Sequence, residues 1–193
     1  MKDLPVYPAP LPWIAAGLAL LAISLFAGWQ AHIHPELVPL LFHEGGWPEN
    51  VQLIALVAAF LTYGRRAARS EDPVAVICIG IVLLLVLAIS REVPRCGSDF
   101  HGGGLCFPKP AKNGLLITSV LAAAIMFYRR RKDIRATLTL RENIVFWPLW
   151  ISLALLAGSE MVEHHVVLGL EETLELGAYC YTLALGIWLL RET

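Results

Sequence analysis

Six apolar stretches separate the polar segments of this 193-residue chain. Strands of a membrane barrel would alternate apolar and polar residues, and these stretches do not. A helix that crosses a bilayer needs about 20 residues, with about 17–25 as the usual range. The first and third stretches are strong candidates, whereas the second, fourth and fifth are short and need flanking Trp, Tyr or polar residues. We predict an all-α, polytopic transmembrane helix bundle with short loops and about six spans in one membrane domain, 1–193, at residues 11–30, 47–64, 74–91, 113–128, 144–160 and 172–190.

The composition agrees with a membrane protein. Hydrophobic residues make up 57% of the chain, charged residues 16%, and the mean hydropathy is +0.63. Soluble domains are typically about 45–50% apolar and about 25% charged. The first apolar stretch is too long for the hydrophobic part of a signal peptide and has no evident cleavage site, so we expect it to be retained as the first span.

The basic residues fall unevenly on the two sides of the predicted bundle. If the N-terminus is inside, 11 Lys and Arg lie on the inner side and 4 on the outer side. This positive-inside bias predicts a multi-pass inner-membrane protein with both termini in the cytoplasm. All six histidines and ten of the sixteen acidic residues then lie on the outer side.

The densest polar segment of the outer side joins the fifth and sixth spans. The spacing of Glu160, Glu163 and His164 places them on one helical face, and Glu175 likewise lies four residues after Glu171 and three after Glu172. Because the turn between the spans is short, we expect the two faces to oppose each other, as ligands do in helical-bundle metal sites. We predict a site that binds a divalent metal ion or exchanges protons, with His165, Glu92 and Tyr179 as supports and Glu160, Glu163, His164, Glu172 and Glu175 as ligands.

The ligand types limit the choice of metal ion without identifying one. Mixed nitrogen and oxygen ligands suit Zn, Mn or Fe. The Glu-x-x-His motif of di-iron bundles is absent. A solvated surface is the alternative interpretation, because acids near the start of a helix interact favourably with its dipole. Glu175 favours a site, since it lies about one turn inside an apolar helix, where an ionisable residue is costly. Arg91 and Glu92 are expected to pair with each other or with this cluster.

Other outer segments carry further candidate residues. The first outer segment contains three histidines and one acid that we consider either as metal ligands or as residues of an interfacial loop. They are His32, His34, His43 and Glu44. Cys96 and Cys106 lie in the longest outer loop, where an oxidising exterior favours a disulfide. A redox-active pair and a metal site with His101 are alternatives for these cysteines.

Three segments, "EGGWPENVQLIALVAAFL", "SREVP" and "LEETLELGAYCY", resemble a loosely defined group of uncharacterised bacterial multi-pass inner-membrane proteins. The resemblance implies an architecture and no activity. The lipid bilayer is an expected partner, and nucleic acid is not, because the chain has no nucleic-acid motif.

Two functions of other classes remain as alternatives to the metal or proton site. One is a non-catalytic subunit that docks a membrane or periplasmic protein through its outer face. The other is a metal-dependent membrane-embedded hydrolase, which needs a nucleophile or a metal-activated water beside a base. Its candidate nucleophiles are Ser90, Ser98 and Ser159, and none lies in a recognisable motif, so no catalytic residue is assigned.

Overall fold

The fold is all-helical, as the hydrophobic pattern predicts. The computed structural model describes residues 7–34, 36, 46–70, 72–97, 105–131, 134, 144–163 and 168–191. Within these residues the chain forms six helices and no β-strand. They are α1 (Pro10–Ile33), α2 (Trp47–Arg69), α3 (Pro73–Glu92), α4 (Lys109–Arg129), α5 (Leu149–Glu163) and α6 (Leu168–Arg191).

Four of these helices, α1, α3, α4 and α6, are long and apolar enough to cross a membrane. The fifth helix has 15 residues and begins at Leu149, whereas the predicted fifth span began at 144. Before it, the chain forms turns closed by short-range hydrogen bonds, from the N–H of Trp147 to the carbonyl of Ile144 and from the N–H of Leu149 to the carbonyl of Phe146. Pro148 has no N–H and is suited to the first turn of a helix, so the regular helix begins just after it.

The start of α3 shows how the sequence defines a helix boundary. The Asp72 carboxylate accepts a hydrogen bond from the backbone N–H of Ala75 at 2.9 Å, and Pro73 occupies the first helical position. An acidic N-cap followed by proline is a strong helix-start signal. The carboxylate accepts a hydrogen bond from a backbone N–H that has no partner within the helix, and proline has no N–H that needs a partner. Only three residues separate α2 from α3 and the two helices pack against each other, so they are antiparallel.

Helix α6 is the centre of the bundle. It packs against α1, α2 and α5, whereas α3 packs against α2 and α4 packs mainly against α3. Two glycines bring neighbouring helices very close. A Cβ atom at Gly186 would lie 2.5 Å from Oγ1 of Thr62 on α2, and one at Gly28 would lie 2.7 Å from Cβ of Leu170 on α6. Small residues at such contacts are typical of packed membrane helices.

Hydrogen bonds between polar side chains and backbone also join these helices in the interior. The hydroxyl of Tyr63 on α2 donates to the carbonyl oxygen of Thr182 on α6 at 3.1 Å. The Ser152 hydroxyl on α5 lies 2.7 Å from that of Thr182. In an apolar environment these hydrogen bonds give the hydroxyl groups partners that lipid cannot provide.

The two ends of the bundle have opposite character. We call one the carboxylate end, where α3 and α5 end and where α2 and α6 begin. We call the other the arginine end, where α2 and α4 end and α3 begins. At the arginine end, Arg66 forms a two-bond ion pair with Asp72, at 2.6 and 3.3 Å. Arg130 donates there to the carbonyl oxygens of Ala67 and Ser70.

Candidate functional site

The carboxylates of Glu92, Glu172 and Glu175 form a layer at the carboxylate end, which we call the carboxylate layer. Glu92 is the last residue of α3, and the other two lie in the first turns of α6. They interact with one another electrostatically, and Glu49 and Glu171 also contribute to the field at Glu172. The antiparallel packing of α2 and α3 and the central place of α6 bring these groups together.

Glu175 is the most deeply placed of the three, with 6% of its surface exposed. The Arg91 guanidinium donates from Nη2 to Oε1 of Glu175 at 3.2 Å, and its Nη1 lies 3.5 Å from Oε2 of Glu160. Arg91 therefore pairs with the predicted cluster, which was one of the two partners expected for it. Glu160 itself is exposed, at the rim of the layer.

Glu92 and Glu172 are held by neutral donors. The phenol of the buried Tyr179 donates to Oε1 of Glu92 at 2.8 Å, which joins α6 to the end of α3. The side-chain amide of Gln52 on α2 donates to Oε2 of Glu172 at 2.9 Å and to the carbonyl oxygen of Glu172 at 3.0 Å. Of the three carboxylates in the layer, Glu175 is thus the one whose described contact is a cation.

Gln52 was missed by the sequence analysis. It is fully buried, and its Oε1 has no hydrogen-bond partner in the part of the chain that the structure describes. The amide orientation follows from its surroundings, because a flipped amide would direct Oε1 at two oxygens of Glu172. The available signal was one amide residue early in the apolar run "VQLIALVAAF".

The predicted metal ligands are only partly brought together. Among the described residues, no three His, Cys, Asp or Glu side chains could hold a metal ion. Glu160 and Glu175 meet at the Arg91 guanidinium, which leaves their facing oxygens occupied. The side chain of Glu163, with His164 and His165, lies outside the described residues, so their roles stay predictions.

The first outer segment is described at its two ends, and residues 35 and 37–45 lie outside the described residues. His32 and His34 are exposed at the end of α1, and Nδ1 of His34 lies 3.2 Å from Oε1 of Glu36. A backbone hydrogen bond and the neighbouring His34 hold the pKa of Glu36 below its ordinary value. His43 and Glu44 lie outside the described residues.

The predicted disulfide between Cys96 and Cys106 is confirmed. Beside it, the N–H of Cys96 donates to the carbonyl of Phe107, and the N–H of Phe107 donates to that of Pro94. The Lys112 ammonium on α4 donates to the carbonyl of Val93 at 2.9 Å. These bonds tie the start of α4 to the end of α3, directly after Arg91 and Glu92. His101, the third residue of the alternative metal site, lies outside the described residues.

The serine nucleophiles of the hydrolase hypothesis face their own helices or the interior. The Ser159 hydroxyl donates to the carbonyl of Leu156 at 2.7 Å, and Ser90 is buried. Ser98 lies outside the described residues. The described layer therefore offers carboxylates and a phenol, which can transfer protons, and a guanidinium, which stays charged and donates hydrogen bonds. Comparison with family models, with curated proteins and with solved structures found no match.

Proposed function

We propose that this protein binds and releases protons at the carboxylate layer, at one face of a membrane. The observation that carries the proposal is the imbalance of charge there. The guanidinium of Arg91 contacts Glu175, whereas neutral groups hold Glu92 and Glu172. Carboxylates that share a partly buried site repel each other, and a proton on one of them removes that repulsion.

The buried amide of Gln52 supports the same conclusion. An unsatisfied buried acceptor costs about 1–3 kcal/mol, so Oε1 of Gln52 favours any donor that the layer can supply. A carboxylic acid has an O–H to donate and a carboxylate has none. Protonation of the layer therefore adds an O–H donor to a group of side chains that includes an acceptor without a partner among the described residues.

The proton form of the hypothesis is preferred to the metal form. A metal would compete with Arg91 for Glu160 and Glu175, and the predicted nitrogen ligand, His164, lies outside the described residues. Zn, Mn or Fe bound by Glu160, Glu163, His164, Glu172 and Glu175 stays a prediction. Docking of a protein partner and hydrolysis also stay predictions, because no described contact favours either.

We further propose that the carboxylate layer faces the outside of an inner membrane. The arginine end would then be cytoplasmic, as the positive-inside bias predicts. In this orientation the layer exchanges protons with the outer aqueous phase through the exposed rim at Arg91 and Glu160.

Infrared spectroscopy of the purified full chain tests the proton site. The carbonyl stretch of a protonated carboxylic acid is separate from that of a carboxylate. At neutral pH we expect a protonated-carboxyl band in the wild-type protein that decreases at alkaline pH. Glu172→Gln should weaken that band, whereas Glu160→Gln, at the exposed rim, should leave it unchanged. A wild-type protein without the band at neutral pH would rule out the proposal.

A further inference from the structure

A groove lies between α2, α3 and α4 at the arginine half of the bundle, with a volume of about 240 Å³. Each helix contributes a stripe of residues at helical spacing, including Gly64 and Ala67 of α2, Ile79 and Leu83 of α3, and Ala122 and Met126 of α4. The α2 stripe runs from Phe60 to Ala67, which is about 10 Å at 1.5 Å per residue. The groove is therefore elongated and parallel to the helices.

The groove lining is apolar. Of the described residues that line it, Ser119 alone has a polar side chain, and its hydroxyl donates to the carbonyl of Leu115 at 2.7 Å. Small residues at 64, 67, 122 and 123 leave space that larger side chains would fill. Helices α3 and α4, which carry most of this lining, are each long and apolar enough to cross a membrane. A hydrocarbon chain matches this lining.

A positive charge stands at the arginine end of the groove. The Arg130 guanidinium donates from Nη2 to the carbonyl of Ala67 at 2.9 Å and from Nη1 to the carbonyl of Ser70 at 2.7 Å. Ala67 lines the groove, so the guanidinium lies at its end. These bonds use two of the five N–H donors of the group. The described residues place no carboxylate within ion-pair distance of Arg130.

We propose that the groove binds one acyl chain of an anionic phospholipid whose phosphate lies at the Arg130 guanidinium. The apolar lining packs against the acyl chain, and the remaining N–H donors of Arg130 form hydrogen bonds to phosphate oxygens. Arginine suits phosphate because its planar fork makes paired, charge-assisted hydrogen bonds. Exposed Arg65, Arg69 and Arg129 at the same end add attraction for an anionic headgroup. This inference is independent of the proposed proton site.

Native mass spectrometry of the delipidated full chain tests the proposal. The probes are phosphatidylglycerol and phosphatidylcholine with identical acyl chains, titrated separately. We expect the first phosphatidylglycerol to bind the wild-type protein about tenfold more tightly than the first phosphatidylcholine. Arg130→Gln should remove this preference, because it removes the charge.

Two alanines on α4 provide a matched pair. Ala122 and Ala124 are both exposed, and Ala122 lines the groove while Ala124 is outside its lining. Ala122→Leu should weaken phosphatidylglycerol binding about tenfold, and Ala124→Leu should leave it as in the wild type. Equal binding by these two variants, no preference between the two lipids, or a protein dimer that excludes lipid would each overturn the proposal. Because both positions are exposed, neither variant depends on repacking of the core.

Discussion

The two ends of the bundle use charge in different ways. At the arginine end, Arg66 is 4% exposed and both of its terminal nitrogens contact the Asp72 carboxylate, which also caps α3. At the carboxylate end, one half-exposed guanidinium contacts Glu160 and Glu175, while Glu92 and Glu172 are held by Tyr179 and Gln52. The first arrangement balances one charge with one charge and fixes a helix turn. The second leaves an excess of carboxylate.

Unsatisfied atoms alone do not distinguish the ends. Each end has one buried side-chain atom without a partner among the described residues, Nε of Arg66 and Oε1 of Gln52. The difference is that Arg66 is already neutralised by Asp72, so an added proton or ion gains nothing there. At the carboxylate layer an added proton both lowers the charge and supplies a donor. The Arg66–Asp72 pair therefore fixes a helix turn, whereas the unbalanced carboxylate layer suits the proton exchange that we propose.

Loss of the balanced pair should have the largest effect. Arg66→Met leaves Asp72 without its partner, and we expect the free energy of unfolding to fall by about 3 kcal/mol. This is the lower part of the range for buried pairs, because the Asp72 side chain is 43% exposed and water partly replaces the guanidinium. Equilibrium unfolding in mixed micelles measures the change. Arg65→Met, at an exposed neighbour, is the control and should change stability little.

Loss of the disulfide should come next. The bond closes a loop with a sequence separation of 10, for which chain entropy accounts for about 2–3 kcal/mol. The double variant Cys96→Ser with Cys106→Ser should unfold at a lower denaturant concentration by that amount. Cys180→Ser, at an unpaired exposed cysteine, serves as control. If the double variant matched this control, the loop would add nothing to the stability of the carboxylate end.

Removal of one negative charge from the layer should stabilise the protein. Glu172→Gln keeps an oxygen to accept from Gln52 and abolishes repulsion from Glu92 and Glu175. We expect a gain of up to about 1 kcal/mol at alkaline pH, where the wild-type layer carries its full charge, and a smaller gain at acidic pH. Thermal unfolding at the two pH values measures it. Destabilisation at alkaline pH would show that the layer is a balanced structural network, like the arginine end.

Removal of Arg91 should have the smallest effect, in contrast to Arg66. Arg91→Met takes a 55% exposed guanidinium from Glu175, whose side chain is 8% exposed. Because water already screens the guanidinium, we expect its contribution to stay near that of exposed pairs, about 0–1 kcal/mol. Uptake of a proton by Glu175 should keep the loss below about 1 kcal/mol at neutral pH. The infrared band of protonated carboxyl should grow in this variant. A loss as large as that of Arg66→Met, with no growth of the band, would place both arginines in the same structural class.

Local patterns predicted much of this molecule. The apolar stretches predicted the all-helical fold, and loop position predicted the disulfide. Helical spacing on α6 identified Glu172, Glu175 and Tyr179, because residues three or four apart share a face whatever the tertiary structure. The pairing of Arg66 with Asp72 was not predicted, since it depends on the turn between α2 and α3. Gln52 was not predicted either, because its contact with Glu172 crosses between helices far apart in sequence.

The central position of α6 has a consequence for how the protein is made. A ribosome delivers α1, α2 and α5 to the membrane before the helix around which they pack. Until α6 is inserted, the Gln52 amide and the Tyr63 hydroxyl on α2 lack the acceptors on α6 that they use in the finished bundle. The bundle around α6 therefore assembles only after the helices that precede it are inserted, and the carboxylate layer forms at that point.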